Sequence, residues 1–363
     1  MSIFIFIIVL LLLVLVHEFG HFIVAKKAGI RVDEFAFGFP PKIWSRKYGE
    51  TTYALNALPL GVYVKIYGEN PNEVKGEDGK RSFIAQPRFV QGLVIVAGIF
   101  FNLLFAWFLF SAAFMVGVPA PAEGIGDGYP VKNLELMITG TGDGSPAALA
   151  GLAAGDVLKK LSDGGGVQAV SNADEVIAFI SPREGQTITL TYERRGEDLS
   201  VNIIPVSGII PDAAAVGIYM DMIGTLQLPP HIALWEGLEK TYQFTVMIAV
   251  GIADFLRDAL LGQSDFDEVA GPVGIVREVG NAAGLGFANL LLFTALISIN
   301  LAVINIIPFP ALDGGRLLFI LIEGAMRRPI RPVIANVFNA VGFALLMLLM
   351  VAVTYSDITK LMQ

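Results

Sequence analysis

The segment His17-Glu18-Phe19-Gly20-His21 carries two imidazoles four residues apart, with a carboxylate between them. On a helix, residues i and i+4 lie on one face. Both rings then reach a single metal ion, and the glutamate stays beside it for acid–base work. Histidine is otherwise scarce: the chain of 363 residues holds three, and the third, His231, lies far along it. Cysteine is absent, which excludes thiolate ligands, a catalytic thiol and disulfides. A catalytic zinc takes three protein ligands, so the third has to be a carboxylate. Asp313 and Glu323 flank an apolar stretch near the C-terminal end. Asp313 is the better ligand, because Pro308, Pro310, Gly314 and Gly315 around it break the helix and let irregular backbone approach a site. Glu323 reads as a surface residue of the connection that follows.

Such a cluster has to be held by the elements around it, and composition says what these are. Hydrophobic residues make up 54% of the chain and charged residues 16%, with a mean hydropathy of +0.65. A soluble domain carries about 25% charged residues. The balance excludes an ordinary soluble enzyme, a disordered chain and a nucleic-acid-binding protein with a basic face. A spanning helix needs roughly 20 apolar residues, and four stretches supply them: Ile3–Val24, Leu93–Val118, Leu285–Ile307 and Val333–Val353. His17, Glu18 and His21 interrupt the first, where ionisable groups are costly unless they are paired or ligate something. A weaker stretch, Tyr242–Leu261, contains Asp254, Arg257 and Asp258 and predicts an amphipathic helix lying at the interface.

Charge sets the expected orientation. Residues 25–89 carry 11 basic and 7 acidic side chains, and 308–332 holds Arg316, Arg327, Arg328 and Arg331. Residues 118–284 carry 9 basic and 22 acidic ones. Basic connections stay in the cytoplasm, so both termini and the acidic segment are expected outside. His17, His21 and Asp313 then meet near the cytoplasmic side.

Within the acidic segment, Leu134–Ile138, Ile188–Tyr192 and Leu199–Ile204 alternate as strands. Pro146–Gly151 and Ala173–Ile180 read as helices, the second capped by Ser171 or Asn172. The run Ser145-Pro146-Ala147-Ala148-Leu149-Ala150-Gly151-Leu152-Ala153-Ala154-Gly155-Asp156-Val157-Leu158 resembles the helix-to-strand signature of bacterial PDZ domains. That resemblance implies a module that captures peptides or substrate ectodomains by strand addition, or one that only docks or excludes.

Taken together, the motifs resemble the site-2 protease family of intramembrane zinc metalloproteases, most closely its bacterial regulator-of-sigma-E branch. The match rests on His-Glu-x-x-His in the first helix, a PDZ insertion after the second, and Asn305-x-x-Pro308-x-Pro310-x-Leu312-Asp313-Gly314-Gly315 at the third. It implies Zn2+ held by His17, His21 and Asp313, with Glu18 as catalytic acid/base and Asn305 as a contact to the substrate backbone. The segment Tyr53–Glu69, with a turn at Leu58–Gly61, resembles the family's membrane-associated β-hairpin. Tyr63, Val64 and Lys65 are accordingly expected to bind substrate. Gly271-Pro272-Val273-Gly274 resembles the Gly-Pro element before the third span. Two positions depart from the pattern: Gly98-Ile99-Phe100-Phe101-Asn102 lacks the usual proline, and Gly61-Val62 replaces Gly-Gly.

The expected protein is a polytopic α-helical membrane protein of about four transmembrane helices, with a β-hairpin and an inserted α+β PDZ domain. Residues 1–118 hold the first two spans and the hairpin region, and 119–210 the PDZ domain with its linkers. Residues 211–284 form a linker with an amphipathic helix, and 285–363 the last two spans. By resemblance it cuts transmembrane segments of single-pass proteins in a bacterial inner membrane. Anti-sigma factors already trimmed outside, or signal-peptide remnants, are the expected substrates. Two rival classes are a membrane zinc transporter, with ligands strung along a pathway, and a non-catalytic PDZ adaptor, with no metal.

Overall fold

The computed structural model describes residues 1–69, 77–122, 129–194, 196–210, 213–262 and 271–362, in two compact units. The first comprises residues 1–112, 234–283 and 290–363, and the second 113–233 and 284–289. Helix α1 (Ser2–Lys27) is apolar on nearly every side, as a helix in lipid must be. Lys26 and Lys27 complement its C-terminal dipole, and Gly29 follows with a positive φ of 75°. Its buried stripe is Val9, Leu13, His17, Gly20, His21 and Ala25. Both histidines therefore face protein rather than lipid.

Strands β1 (Val32–Tyr48) and β2 (Thr51–Ile66) follow, and then α2 (Arg88–Val116). The alternation of Tyr53–Lys65 predicts that this segment folds on itself, and the structure corrects that. Phe35 of β1 faces both Tyr53 and Val64, Ala36 faces both Ala54 and Tyr63, and Tyr48 faces Thr51 across the hairpin turn. Residues 34–37 thus lie between 52–55 and 62–65. The missing partner was the strand beginning at Val32, whose polar residues Asp33 and Glu34 disguise it. Beneath the sheet Ala25, Ile30, Val32, Ile66, Phe83, Val94, Ile95 and Ile320 form one apolar cluster. At the hairpin turn Lys26 and Arg81 ion-pair with Glu50, both at 2.7 Å, and hold its carboxyl below the ordinary range.

The second unit is a mixed domain. In chain order it contains β3 (Val118–Pro121), β4 (Lys132–Thr141), α3 (Pro146–Leu149), β5 (Val157–Ser162), β6 (Val167–Ala169) and α4 (Ala173–Ile180). Strands β7 (Ile188–Arg194), β8 (Glu197–Ile203), β9 (Val206–Ile210), β10 (Ala213–Ala215) and β11 (Ile218–Leu226) complete it. The main sheet has the order β3-β11-β4-β5-β7-β8. Ile188, Leu190 and Tyr192 point inward at period two and join Leu136, Ile138, Leu158, Leu161, Val176, Phe179 and Ile180 in the core. Asn172 is the N-cap of α4, accepting from Glu175 N at 2.9 Å. A boundary at residue 210 is too early, because β11 sits inside the sheet between β3 and β4. Its pattern is ambiguous from sequence, since the apolar pairs Ile218-Tyr219 and Met222-Ile223 break the alternation.

The chain then forms α5 (Pro230–Leu260), α6 (Pro272–Gly284), α7 (Phe287–Ile306), α8 (Asp313–Met326) and α9 (Pro332–Met362). Among the described residues four helices are long and apolar enough to cross a membrane: α1, α2, α7 and the Pro332–Lys360 part of α9. These are the four expected. Helix α5 is longer than predicted and does not rest only on the interface. Its Phe244, Ile248 and Ile252 pack against a cluster of α2 and α7 residues that includes Ala106, Phe110, Ala295 and Ile299.

Asp357 of α9 is buried and accepts from the backbone N–H groups of Gly271 at 3.1 Å and Gly274 at 2.8 Å. It caps the start of α6 from another helix. Asp357→Ala leaves both donors without that partner, a loss of about 1–3 kcal/mol for each. A lower melting temperature in detergent is expected, and an unchanged one contradicts the capping role.

Candidate metal centre

His17, His21 and Asp313 come together although about 300 residues separate them in sequence. The His17 Nε2 atom lies 3.0 Å from Asp313 Oδ2 and 3.2 Å from His21 Nε2; the third side of the triangle is also 3.2 Å. Among the described residues this is the group of histidines and acids arranged to hold a metal ion. Both histidines are 7% exposed.

The donor set fits zinc. Nitrogen and oxygen ligands at about 2.0–2.1 Å in a tetrahedron stand roughly 3.3 Å apart, close to the observed spacing. His21 Nδ1 lies 2.8 Å from the Val94 carbonyl. A carbonyl only accepts, so the ring proton is on Nδ1 and Nε2 presents a lone pair. Asp313 Oδ2 is buried and makes no hydrogen bond, although two imidazole nitrogens stand within 3.2 Å. Converging lone pairs in a buried place are costly unless a cation satisfies them.

Local sequence explains how each of the three side chains arrives. Gly20 brings α1 against α2, since a Cβ there would stand 2.6 Å from the Ala97 carbonyl oxygen. Gly98 of α2 lies directly under both imidazoles: a Cβ would come within 2.6 Å of His21 Cε1 and 2.8 Å of His17 Cε1. Asp313 opens α8 after an irregular stretch in which Ala311 has a φ of 68°. Gly314 and Gly315 touch the carbonyl groups of Ile306, Ile307 and Phe309, leaving no space for side chains.

Glu18, next to His17 on α1, reaches β2. Its Oε2 accepts from the Val64 N–H of β2 at 3.2 Å. Tyr63 donates from its hydroxyl to Glu34 at 3.2 Å, and Lys65 is exposed. Asn305 is half-buried in the last turn of α7, outside the three-ligand cluster. Glu323 differs from expectation. It is an ion-pair partner of Arg88 at 2.8 Å and accepts from Ile330 N at 2.9 Å, so it ties α8 to α2 instead of standing free at the surface. Sequence reasoning missed the roles of Val94, Gly98 and Ser298. The signal for the α2 face was an asparagine, Asn102, alone among apolar residues and four positions after a glycine.

A polytopic helical fold that sets two buried histidines and a half-buried aspartate beside a glutamate has the residues a membrane metalloprotease needs. Residues 5–349 match peptidase family M50, and the chain belongs to that family. It is similar to the zinc metalloprotease RasP of Oceanobacillus iheyensis, 29% identical over 98% of each chain. RasP of Shouchella clausii is 31% identical, again over 98% of each. A putative zinc metalloprotease of Clostridium perfringens is 34% identical over 95% of each. Among solved structures, the PDZ domain of an SdrC-like protein from Listeria monocytogenes covers 25% of this chain and 90% of that one, with 24% identity and a TM-score of 0.21. The protein is thus a zinc metalloendopeptidase of the membrane, and Zn2+ is its cofactor.

Proposed function

We propose that this protein hydrolyses peptide bonds inside the transmembrane segments of other membrane proteins, as a step of regulated intramembrane proteolysis. The observation that carries the reading is the triangle of His17, His21 and Asp313 with Glu18 next to it, set in helices apolar enough to span a bilayer. In this reading His17, His21 and Asp313 are the zinc ligands. When bound, zinc supplies the positive charge that polarises a scissile carbonyl and acidifies the attacking water. Glu18 accepts the water's proton and delivers it to the leaving amine. Burial of the site keeps bulk water away from a reaction that needs one molecule of it.

A helical substrate hides its carbonyls in i→i−4 bonds and has to be unwound first. The geometry of β2 favours holding the unwound stretch there. The Val64 N–H is turned out of the sheet toward Glu18, so an extended chain added along Val62–Ile66 would run past the glutamate. Tyr63, Val64 and Lys65 line that route, and Asn305 holds a backbone group of the substrate. The basic segments 25–89 and 308–332 support a cytoplasmic position for the site, with both termini and the acidic PDZ-type domain outside in a bacterial inner membrane. The chain then divides into residues 1–118 and 285–363 as the catalytic part and the intervening residues as the outer part. A groove of about 430 Å³ lined by Ser145, Val176, Ile180, Gly217 and Ile218 suits a peptide or substrate ectodomain. The substrates are single-pass proteins trimmed outside, such as anti-sigma factors, or signal-peptide remnants.

Chelation gives the test. Purified protein in detergent should cleave a reporter with one transmembrane segment, lose that activity in a zinc chelator and regain it when zinc is returned. Cleavage that is indifferent to the chelator contradicts the proposal. The transporter alternative predicts zinc flux in liposomes and no cleavage.

A further inference from the structure

Val94, Gly98 and Asn102 are spaced four apart on α2, so they share one face, and that face lies against the two imidazoles. Val94 fixes the His21 ring through its carbonyl, and Gly98 leaves room for both rings. Asn102 stands in the corresponding place for His17: its side-chain amide is 3.1 Å from His17 Nδ1. It is fully buried, and Ser298 Oγ, also fully buried, donates to its backbone carbonyl at 2.8 Å.

The two ends of that amide have opposite consequences. With the nitrogen toward the ring, Nδ1 has to be bare, and the proton of a neutral His17 sits on Nε2. That is the atom facing His21 and Asp313, and a protonated Nε2 offers no lone pair to a cation. The same orientation leaves Asn102 Oδ1 buried without a partner. A half-turn of the amide exchanges oxygen and nitrogen without moving any other atom. Oδ1 then accepts the Nδ1 proton, and Nε2 is free to ligate. We propose that Asn102 is a positioning residue whose Oδ1 holds the Nδ1 proton of His17, fixing the tautomer in which His17 binds zinc. One face of α2 thereby sets both rings, with a backbone acceptor for His21 and a side-chain acceptor for His17. Outer hydrogen bonds of this kind typically change metal affinity by about 10–100-fold.

The inference rests on the zinc ligands proposed above, and one titration separates the two. Wild type, His17→Ala, Asn102→Leu and Asn102→Asp are purified in detergent and their zinc affinity is read by competition with a chromophoric chelator. Asn102→Leu keeps the branched shape, is somewhat larger and removes the acceptor, so its affinity falls about 10–100-fold. Asn102→Asp keeps an acceptor and lacks the amide donors, so it holds zinc within a few-fold of wild type. Zinc as weak in Asn102→Asp as in Asn102→Leu, or as tight in Asn102→Leu as in wild type, overturns the assignment. Asn102→Asp decides alone where Asn102→Leu does not purify as a folded protein: zinc held supports the assignment, and zinc lost overturns it. Wild-type affinity in His17→Ala contradicts the ligand reading itself.

Discussion

Gly98→Ala is expected to abolish zinc binding and cleavage together while leaving the protein in the membrane. A methyl group at this position meets His21 Cε1 at 2.6 Å and His17 Cε1 at 2.8 Å, far inside van der Waals contact. Neither ring has a cheap escape. His21 is tied to the Val94 carbonyl, His17 lies against Asn102, and both belong to the buried stripe of α1. Parting the helices would give up the close approach at which Gly20 sets α1 on the Ala97 carbonyl. The rings therefore rotate off the metal or the helices part, and either change costs zinc affinity at least the roughly 10–100-fold that loss of orienting contacts costs. Metal analysis of the purified variant reads this directly. A Gly98→Ala protein with full zinc and full activity means that the α1–α2 contact does not shape the site.

Asp313→Ala should be as severe, and Glu323→Ala should not. In the proposed ligand set Asp313 supplies the anionic ligand of the triangle, and its loss leaves two neutral imidazoles to hold a dication. Zinc affinity should fall by more than the roughly 10–100-fold that loss of an outer partner costs, with cleavage lost at ambient zinc. Glu323 is the other carboxylate of the same helix, but it faces Arg88 and the Ile330 N–H. Its replacement should keep zinc content and lower the melting temperature. Equal zinc loss in both variants, or none in Asp313→Ala, contradicts the ligand set.

The parts legible in the sequence are those with a short-range physical signature. A continuous apolar run has few alternatives to a spanning helix, so four spans were readable. Two histidines at i and i+4 inside such a run had little else to do. The Pro-Pro-Gly-Gly stretch around Asp313 announced irregular backbone at a place where only function tolerates it. Long-range pairing was not legible. The strand Val32–Phe39 hides behind Asp33 and Glu34, so the segment Tyr53–Lys65 looked like its own partner. Strand β11 is separated from β4 by about eighty residues, and nothing local marks it as a central strand. The outer partners of the histidines were invisible for the same reason: Val94 acts through its backbone, and Gly98 through the absence of a side chain. Only Asn102 left a trace.

In the proposed mechanism Glu18 acts in the chemistry and not in holding the metal, so its replacement separates the two. A reporter with a single transmembrane segment is incubated in detergent with wild type or with Glu18→Gln, and the products are weighed by mass spectrometry alongside the zinc content of each enzyme. Wild type should cut within the apolar segment. Glu18→Gln should retain its zinc and lose about 100–10,000-fold in rate, the usual contribution of a positioned acid/base. Unchanged cleavage by Glu18→Gln, or a wild-type cut confined to residues outside the apolar segment, contradicts that mechanism.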